Sequence, residues 1–375
     1  MSTFSPPSRM SWRISIAPTW VLCAIVLSSC GPRVPYVKVE EVTWGHPQEV
    51  IRGTGAGEGF WAVADRRVFA VTAFLNAAGV DEEAPGCQMH PLRTKVREKV
   101  AANLAAFPDK LKSWREYFSA KGHYWGQYVD WALTLNTDHP FRRVRPDEEL
   151  GFPWTSYILA DLPDILNDFW VTARLDSVWR ECWPDYAAEL ARYNPAAMAE
   201  EMSFLWRYMR MARKDRMIIV QLPNPLVRHH YAFASRHGDY YLSVNSPGTA
   251  DGLNVHEYLH SFINDLVKGG YSAQEVKLRK YFEAGKDAPI SSGYQDPVLW
   301  TCECLVHALD HRLAVLRISD PVNRKIVEDR VAAFTSGGYT LLGPLYASLA
   351  RYEQSQLSFD RYFPILLEEL PEYSR

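Results

Sequence analysis

Blocks of like charge, long apolar runs and internal repeats are all missing from this 375-residue sequence. Lys and Arg number 41 against 44 Asp and Glu, a formal charge of −3. Without a basic block to neutralise phosphates, nucleic acid is excluded as the main partner. No apolar segment reaches the roughly 20 residues that span a bilayer core. Six cysteines are too few for a fold built on disulfides. Gly337, Gly338 and Gly343 precede no Lys-Ser or Lys-Thr pair, which removes a phosphate-binding loop. The absence of any fixed period removes solenoids. What is there is 47% hydrophobic and 23% charged, with 13 Trp, 20 Tyr and 16 Phe. That composition builds a packed globular core rather than a disordered chain.

The first thirty residues read as an address. Arg9 and Arg13 precede an apolar stretch from Ile14 to Leu27, and no acidic residue occurs before Glu40. This is the layout of a secretory signal, and it is too short to remain as a membrane span. The stretch ends Leu27, Ser28, Ser29, Cys30, which resembles the lipobox of bacterial lipoproteins, in which the Cys is acylated and becomes the new N-terminus. The resemblance implies a signal peptide over 1–29 and a lipidated Cys30; a tether over 30–48 and one domain over 49–375 are expected to follow. Two or three acyl chains exceed the single chain whose anchoring is marginal and reversible. Gly31 in place of Asp implies the outer membrane, facing the periplasm. Cleavage removes two of the 41 basic residues and none of the 44 acidic ones, so the mature net charge is −5. Cys87, Cys182, Cys302 and Cys304 then remain in an oxidising compartment. Two disulfide pairings are open if Cys302 and Cys304 share a helix, as are four free thiols.

Along the mature chain, glycines at 53, 55, 57 and 59 and a run from Arg67 to Phe74 point to a β-rich start. Val96, Val100, Leu104, Phe107 and Leu111 recur at helical spacing, which predicts one helix over Arg93–Phe118 kinked at Pro108. Residues Tyr157 to Lys214 read as helices broken around Pro163, Pro184 and Pro195. Met217–Leu222 and Tyr240–Asn245 read as strands, flanking a segment at Arg228–Ser235, with two or three antiparallel strands in all. After Asn254 the pattern is helical to the end. The fold class is α+β.

His256, Glu257, Tyr258, Leu259 and His260 spell HExxH, the helical zinc motif of metallopeptidases. With 11 His and 23 Glu in the chain, random placement yields about 0.02 such matches. Val255, Leu259, Phe262 and Leu266 follow the spacing of one buried helix face. On a helix the two His lie one turn apart and can grip one ion, while Glu257 is offset by about 100° and reaches a water on it. Catalytic zinc takes three protein ligands. Glu303, on a helix predicted over Val298–Leu313 with Leu299, Cys302, Val306, Leu309 and Leu313 as its apolar face, is preferred. Glu283, in a Lys- and Arg-rich and so solvent-facing segment, is the rival, and His307 a third option. An oxyanion donor is sought among Tyr294, Tyr339, Tyr346, His307 and His230. His229 and His230 are adjacent on an extended segment, so at most one can face a site. A peptide substrate is expected to lie along Tyr240–Asn245 as the sheet edge.

The three stretches Val63-Ala64-Asp65-Arg66-Arg67-Val68, Val255–Asn264 and Glu303–Ala308 give the chain a resemblance to a bacterial family of HExxH proteins of unassigned function. It covers most of residues 60 to 360. The resemblance implies a zincin-like fold of gluzincin type, an N-terminal β-rich part and a helical catalytic part. It also implies one Zn²⁺ per chain on His256, His260 and Glu303, with Glu257 as general base, and a peptide or protein substrate. His307 departs from the Arg found there in the family, and can bond Glu303 from behind. A lipoprotein that binds a protein or cell-wall partner without catalysis is the alternative function.

Overall fold

The computed structural model describes residues 49–373 except 56–57, 85, 122–124, 148–149, 151–154, 212–217, 248–253 and 289–293. The expected signal, Cys30 and tether lie outside the described residues, which all fall in one compact unit, Val34–Arg375. Among them no helix is long and apolar enough to cross a membrane.

The molecule is α+β, with one five-stranded sheet among many helices. β1 (Val50–Gly55) and β2 (Glu58–Val63) form an antiparallel hairpin. The chain then runs through eight helices before returning as β3 (Ile218–Pro223), parallel to β2. β4 (Ala232–His237) and β5 (Tyr240–Asn245) close a second hairpin, and β5 inserts beside β3 to give the order β1-β2-β3-β5-β4. The strands at 218–223 and 240–245 therefore stand where the pattern put them, but they pair parallel to each other, not antiparallel. Ile219, Val220, Leu222, Leu242 and Val244 are buried, as in strands covered on both faces.

Two local expectations are overturned. The run Arg67–Phe74 is not a strand but most of α1 (Arg66–Ala78), so among the described residues the β-rich start is limited to the β1–β2 hairpin. All but Arg66 and Ala77 of this helix are buried. A helix buried on every side shows no polar stripe, and its β-branched residues then read as strand. Its ends are nonetheless marked: Asp65 caps the start through the amides of Arg67 and Val68, and Gly79, at φ 119°, ends it in the left-handed conformation. The single helix over Arg93–Phe118 is two, α2 (Pro91–Leu104) and α3 (Pro108–Lys121). Pro108 opens the second, where its missing N–H costs nothing, rather than kinking one rod.

Next come α4 (Trp125–Ala132), α5 (Thr155–Ile158), α6 (Leu162–Thr172), α7 (Leu175–Leu190) and α8 (Pro195–Met209). Pro163 and Pro195 sit in first turns, while Pro184 lies inside α7 without ending it. After β5 follow α9 (Val255–Gly270), α10 (Glu275–Gly285), α11 (Pro297–Arg317), α12 (Pro321–Ser336), α13 (Leu342–Gln354) and α14 (Phe359–Glu368). On α11 Cys302, Val306, Leu309 and Leu313 are buried, but Leu299 is exposed. Cys87, Cys182, Cys302 and Cys304 are all free thiols, so neither disulfide pairing forms.

The Val63–Val68 stretch is a structural knot. Arg67 is 1% exposed; it pairs with Asp65 at 2.5 Å and donates to the carbonyls of Leu133 and Leu135 at 3.1 and 2.8 Å. Arg66 reaches Glu49 at 2.8 Å and lies over the Trp179 ring. Burial raises the Asp65 carboxyl, but the Arg67 guanidinium and the two capping amides outweigh it and hold the group below its usual 3.8. The stability this carboxylate contributes is present above the unfolded value and lost as pH falls through the lower folded one. Removing one partner strands a buried charge. Asp65→Ala is expected to cost about 3–5 kcal/mol in urea unfolding at neutral pH, with the gap to the parent narrowing in acid.

Candidate metal centre

The HExxH helix is fastened to the sheet before it begins. Asn254 caps α9 through the Glu257 amide at 3.3 Å, and donates to Asn245 Oδ1 of β5 at 3.0 Å. Asn245 in turn donates to Gln221 Oε1 of β3 at 2.6 Å and to the Tyr193 hydroxyl at 3.3 Å. Asn245, Gln221 and Asn254 are all buried, so this chain of amides is dry and strong. The Tyr241 hydroxyl donates to the Glu257 carbonyl, a second tie one turn on. The buried face of α9 is Tyr258, Leu259, Ile263 and Val267. Of the expected stripe only Leu259 is fully buried, while Val255, Phe262 and Leu266 are half-buried against the core. The face is turned from the expected one because contacts from α11, α14, β4 and β5 surround the helix on several sides.

α11 packs along α9 and brings Glu303 over the two imidazoles. His256 Nε2 lies 3.3 Å from Glu303 Oε1, His260 Nε2 lies 3.4 Å from Glu303 Oε2, and the two Nε2 atoms are 3.4 Å apart. Donors around a tetrahedral ion with ligands at about 2.0–2.1 Å sit about 3.3–3.4 Å apart; the two imidazole nitrogens stand at that spacing, and each has one of the two Glu303 oxygens at it. The donor set and its spacing fit zinc. Among the described residues it is the one group of His, Cys, Asp and Glu gathered closely enough for a metal.

The rivals stand elsewhere. Glu283, on α10, pairs with Lys286 at 2.5 Å, its side chain half exposed, and it does not line the cleft described below. His307 is one turn along α11 from Glu303, with Nε2 3.2 Å from Glu303 Oε1 and its ring 4.5 Å from that of His256. It thus steadies the carboxylate from the side. His260 Nδ1 meets Asn264 Oδ1 at 3.0 Å, which leaves Nε2 as the lone-pair donor, the tautomer a metal needs. Burial depresses the imidazole of His256, but Glu303 outweighs it and carries the group up to about 9; the same balance raises His260. Burial raises the Glu303 carboxyl, but the three imidazoles hold it well below the ordinary carboxylate range.

These groups open into a cleft of about 1040 Å³ between α8, α9, α11, α12 and the segment 230–234. Ala232, Phe233 and Ala234 of β4 line it. The sheet edge at the cleft is therefore β4; the expected edge, Tyr240–Asn245, is an inner strand between β3 and β4. Tyr294 lines the cleft, with its hydroxyl bonded to Glu303 and Tyr339. Burial, then the Glu303 charge, push it far above an ordinary tyrosine, so it keeps its proton and serves as a hydrogen-bond donor. Tyr339 is buried behind His307 at 5.3 Å between ring centres. Tyr346 is away from the cleft beneath Arg312. His230, at φ 59°, lines the cleft, whereas His229 turns to Glu83 at 3.3 Å. Three residues beside the site carry no motif: Asn264, which meets His260, and Asp310 and Arg330, which line the cleft. Asn264 is legible as the position one turn past His260, and Asp310 as two turns past Glu303, while nothing local marks Arg330.

No family model, curated protein or solved structure matches this chain.

Elemental analysis of the purified full chain is expected to find close to one zinc, lost in Glu303→Ala and kept in Glu283→Ala; the reverse pattern overturns the assignment. His256 holds a proton below about pH 9 in the metal-free protein, and a ligating imidazole must be neutral. Zinc binding near neutral pH should therefore release protons, read by calorimetry in buffers of different ionisation enthalpy, and should tighten as pH rises towards 9.

Proposed function

We propose that this chain is a zinc-dependent peptidase with a zincin-like fold of gluzincin type, held at the bacterial outer membrane through lipidated Cys30. The observation that carries the reading is the convergence of His256, His260 and Glu303, with nitrogen–nitrogen and nitrogen–oxygen approaches of 3.3–3.4 Å, in a cleft bordered by the outermost strand β4 and lined by Glu257. A metal held for structure alone is normally closed by four protein ligands, whereas three ligands at a cleft leave a position for chemistry.

His256, His260 and Glu303 would hold a zinc ion, which when bound would supply a Lewis acid that lowers the pKa of a water towards 7. Glu257 takes the proton from the attacking water and returns it to the amine that leaves, so the peptide C–N bond breaks as the C–O bond forms. Its main chain is held by the Asn254 cap and by Tyr241, so the carboxylate is aimed before substrate arrives. The Tyr294 hydroxyl donates to the carbonyl oxygen as charge develops there. β4 binds an extended peptide by main-chain hydrogen bonds, as strands added at sheet edges are bound. Asn264 and His307 hold the His260 and Glu303 donors in place.

Glu257→Gln is expected to keep one zinc and to lose about 10²–10⁴-fold in kcat on a mixed peptide pool. Tyr294→Phe should keep zinc and lose about 10²–10³-fold in kcat with little change in KM. Retained turnover in Glu257→Gln overturns the base assignment; zinc-free protein without turnover favours a binding lipoprotein. For the anchor, radiolabelled palmitate should be incorporated by the parent and not by Cys30→Ser.

A further inference from the structure

A second cavity, of about 270 Å³, lies beside the segment that leads into β4. Its walls are Leu75 and Val80 at the end of α1, Trp125 of α4, and Val227, Arg228 and Tyr231 on the approach to β4. Tyr231 lines both this cavity and the cleft of the donor triangle, so the two spaces meet at one side chain. The Trp125 ring packs edge-on against Tyr231 at 5.7 Å and against Phe233 at 6.1 Å. Tyr231 and Phe233, two residues apart, thus project to the α4 side, and Ala232 and Ala234 project to the opposite side, where α9 touches β4.

A peptide laid along the free side of β4 continues the sheet, and its side chains alternate with the same period. Residues that point towards α9 meet the donor triangle; their neighbours point across the strand to the Trp125 side, where the cavity opens. Its volume is just under the roughly 300–1,000 Å³ that holds a whole drug-sized ligand, which suits one side chain. Of the charges at its rim, Arg93 pairs with Glu83 at 3.1 Å and Asp81 with Arg97, while Glu82 and the polar Thr72 and Asn76 also border it. Apolar and aromatic walls remain, with the Arg228 guanidinium stacked on Tyr231 at 4.0 Å.

We infer that this cavity is the specificity subsite of the cleft and takes a large apolar side chain, Leu, Met or Phe, of a peptide bound along β4. The inference rests on the peptidase reading for the peptide's course, and the test separates the two. Cleavage by the zinc-loaded full chain is compared for peptides differing only by Phe, Ala, Glu or Lys at each position. Binding of N-acetylphenylalaninamide and N-acetylalaninamide to the metal-free chain is followed by saturation-transfer NMR. Both are repeated in Val80→Trp and Val227→Phe, which fill the cavity from two walls, so that one variant's failure to fold leaves the other. Expected are a preference of about tenfold or more for Phe over Ala, Glu and Lys at one position, and binding of the Phe probe alone. Both should fall several-fold or more in the filled variants. Cleavage without preference, or a preference that both filled variants retain, overturns the subsite and keeps the peptidase reading. Probe binding lost on filling, with no peptide cleaved, keeps the cavity's role in holding apolar side chains and overturns the peptidase reading. Neither binding nor cleavage overturns both.

Discussion

The Glu303 carboxylate is the point on which the site depends. It is nearly buried and touches three imidazoles and a phenol; burial disfavours its charge, and the imidazoles outweigh burial. His256 and His260 in turn are lifted above their usual value chiefly by this carboxylate, with Glu257 adding to it. Each group is tolerable because the others are there. Removing the carboxylate leaves two buried imidazoles facing each other at 3.4 Å, which is why so much surrounding structure serves to hold α11 against α9.

That holding is done by two kinds of force. Apolar packing brings α9 and α11 together through Leu259, Ile263, Val306 and Leu309, all buried, but packing alone is non-directional. Direction comes from polar contacts: the Asn254–Asn245–Gln221 amides fix where α9 leaves the sheet, and Asn264 fixes the His260 ring. The amides of Asn245 and Gln221 cross-link β5 to β3 at the carboxyl ends of parallel strands, where α/β crevices open. The sheet therefore does two jobs, anchoring the motif helix through its inner strand β5 and bordering the cleft with its outer strand β4.

Legibility followed the range of the interaction. The HExxH pair, the two strands at 218–223 and 240–245 and the helix carrying Glu303 rest on i+2, i+3 and i+4 relations within one element, and all stand close to where the pattern puts them. The α1 run failed as a strand because its surroundings, not its own pattern, are apolar on every side. The helix over Arg93–Phe118 failed because spacing alone does not distinguish two collinear patterns from one. The edge strand was misassigned because strand order is a long-range pairing: β5 follows β4 in the chain yet lies inside it.

What the sequence by itself determined is the local chemistry: two imidazoles one turn apart, a carboxylate offset beside them, and a cap residue just ahead, all consequences of 3.6 residues per turn. What only the tertiary structure decided is the partner 43 positions after His260. The sequence prefers Glu303 to its rival Glu283 only through the charged surroundings of the latter, and the structure separates them because α11 packs on α9 while α10 carries its glutamate half exposed beside Lys286. The same holds for β4 as the edge of the cleft. Such choices depend on which buried surfaces meet after the chain has folded, and no periodicity within a single element carries that information.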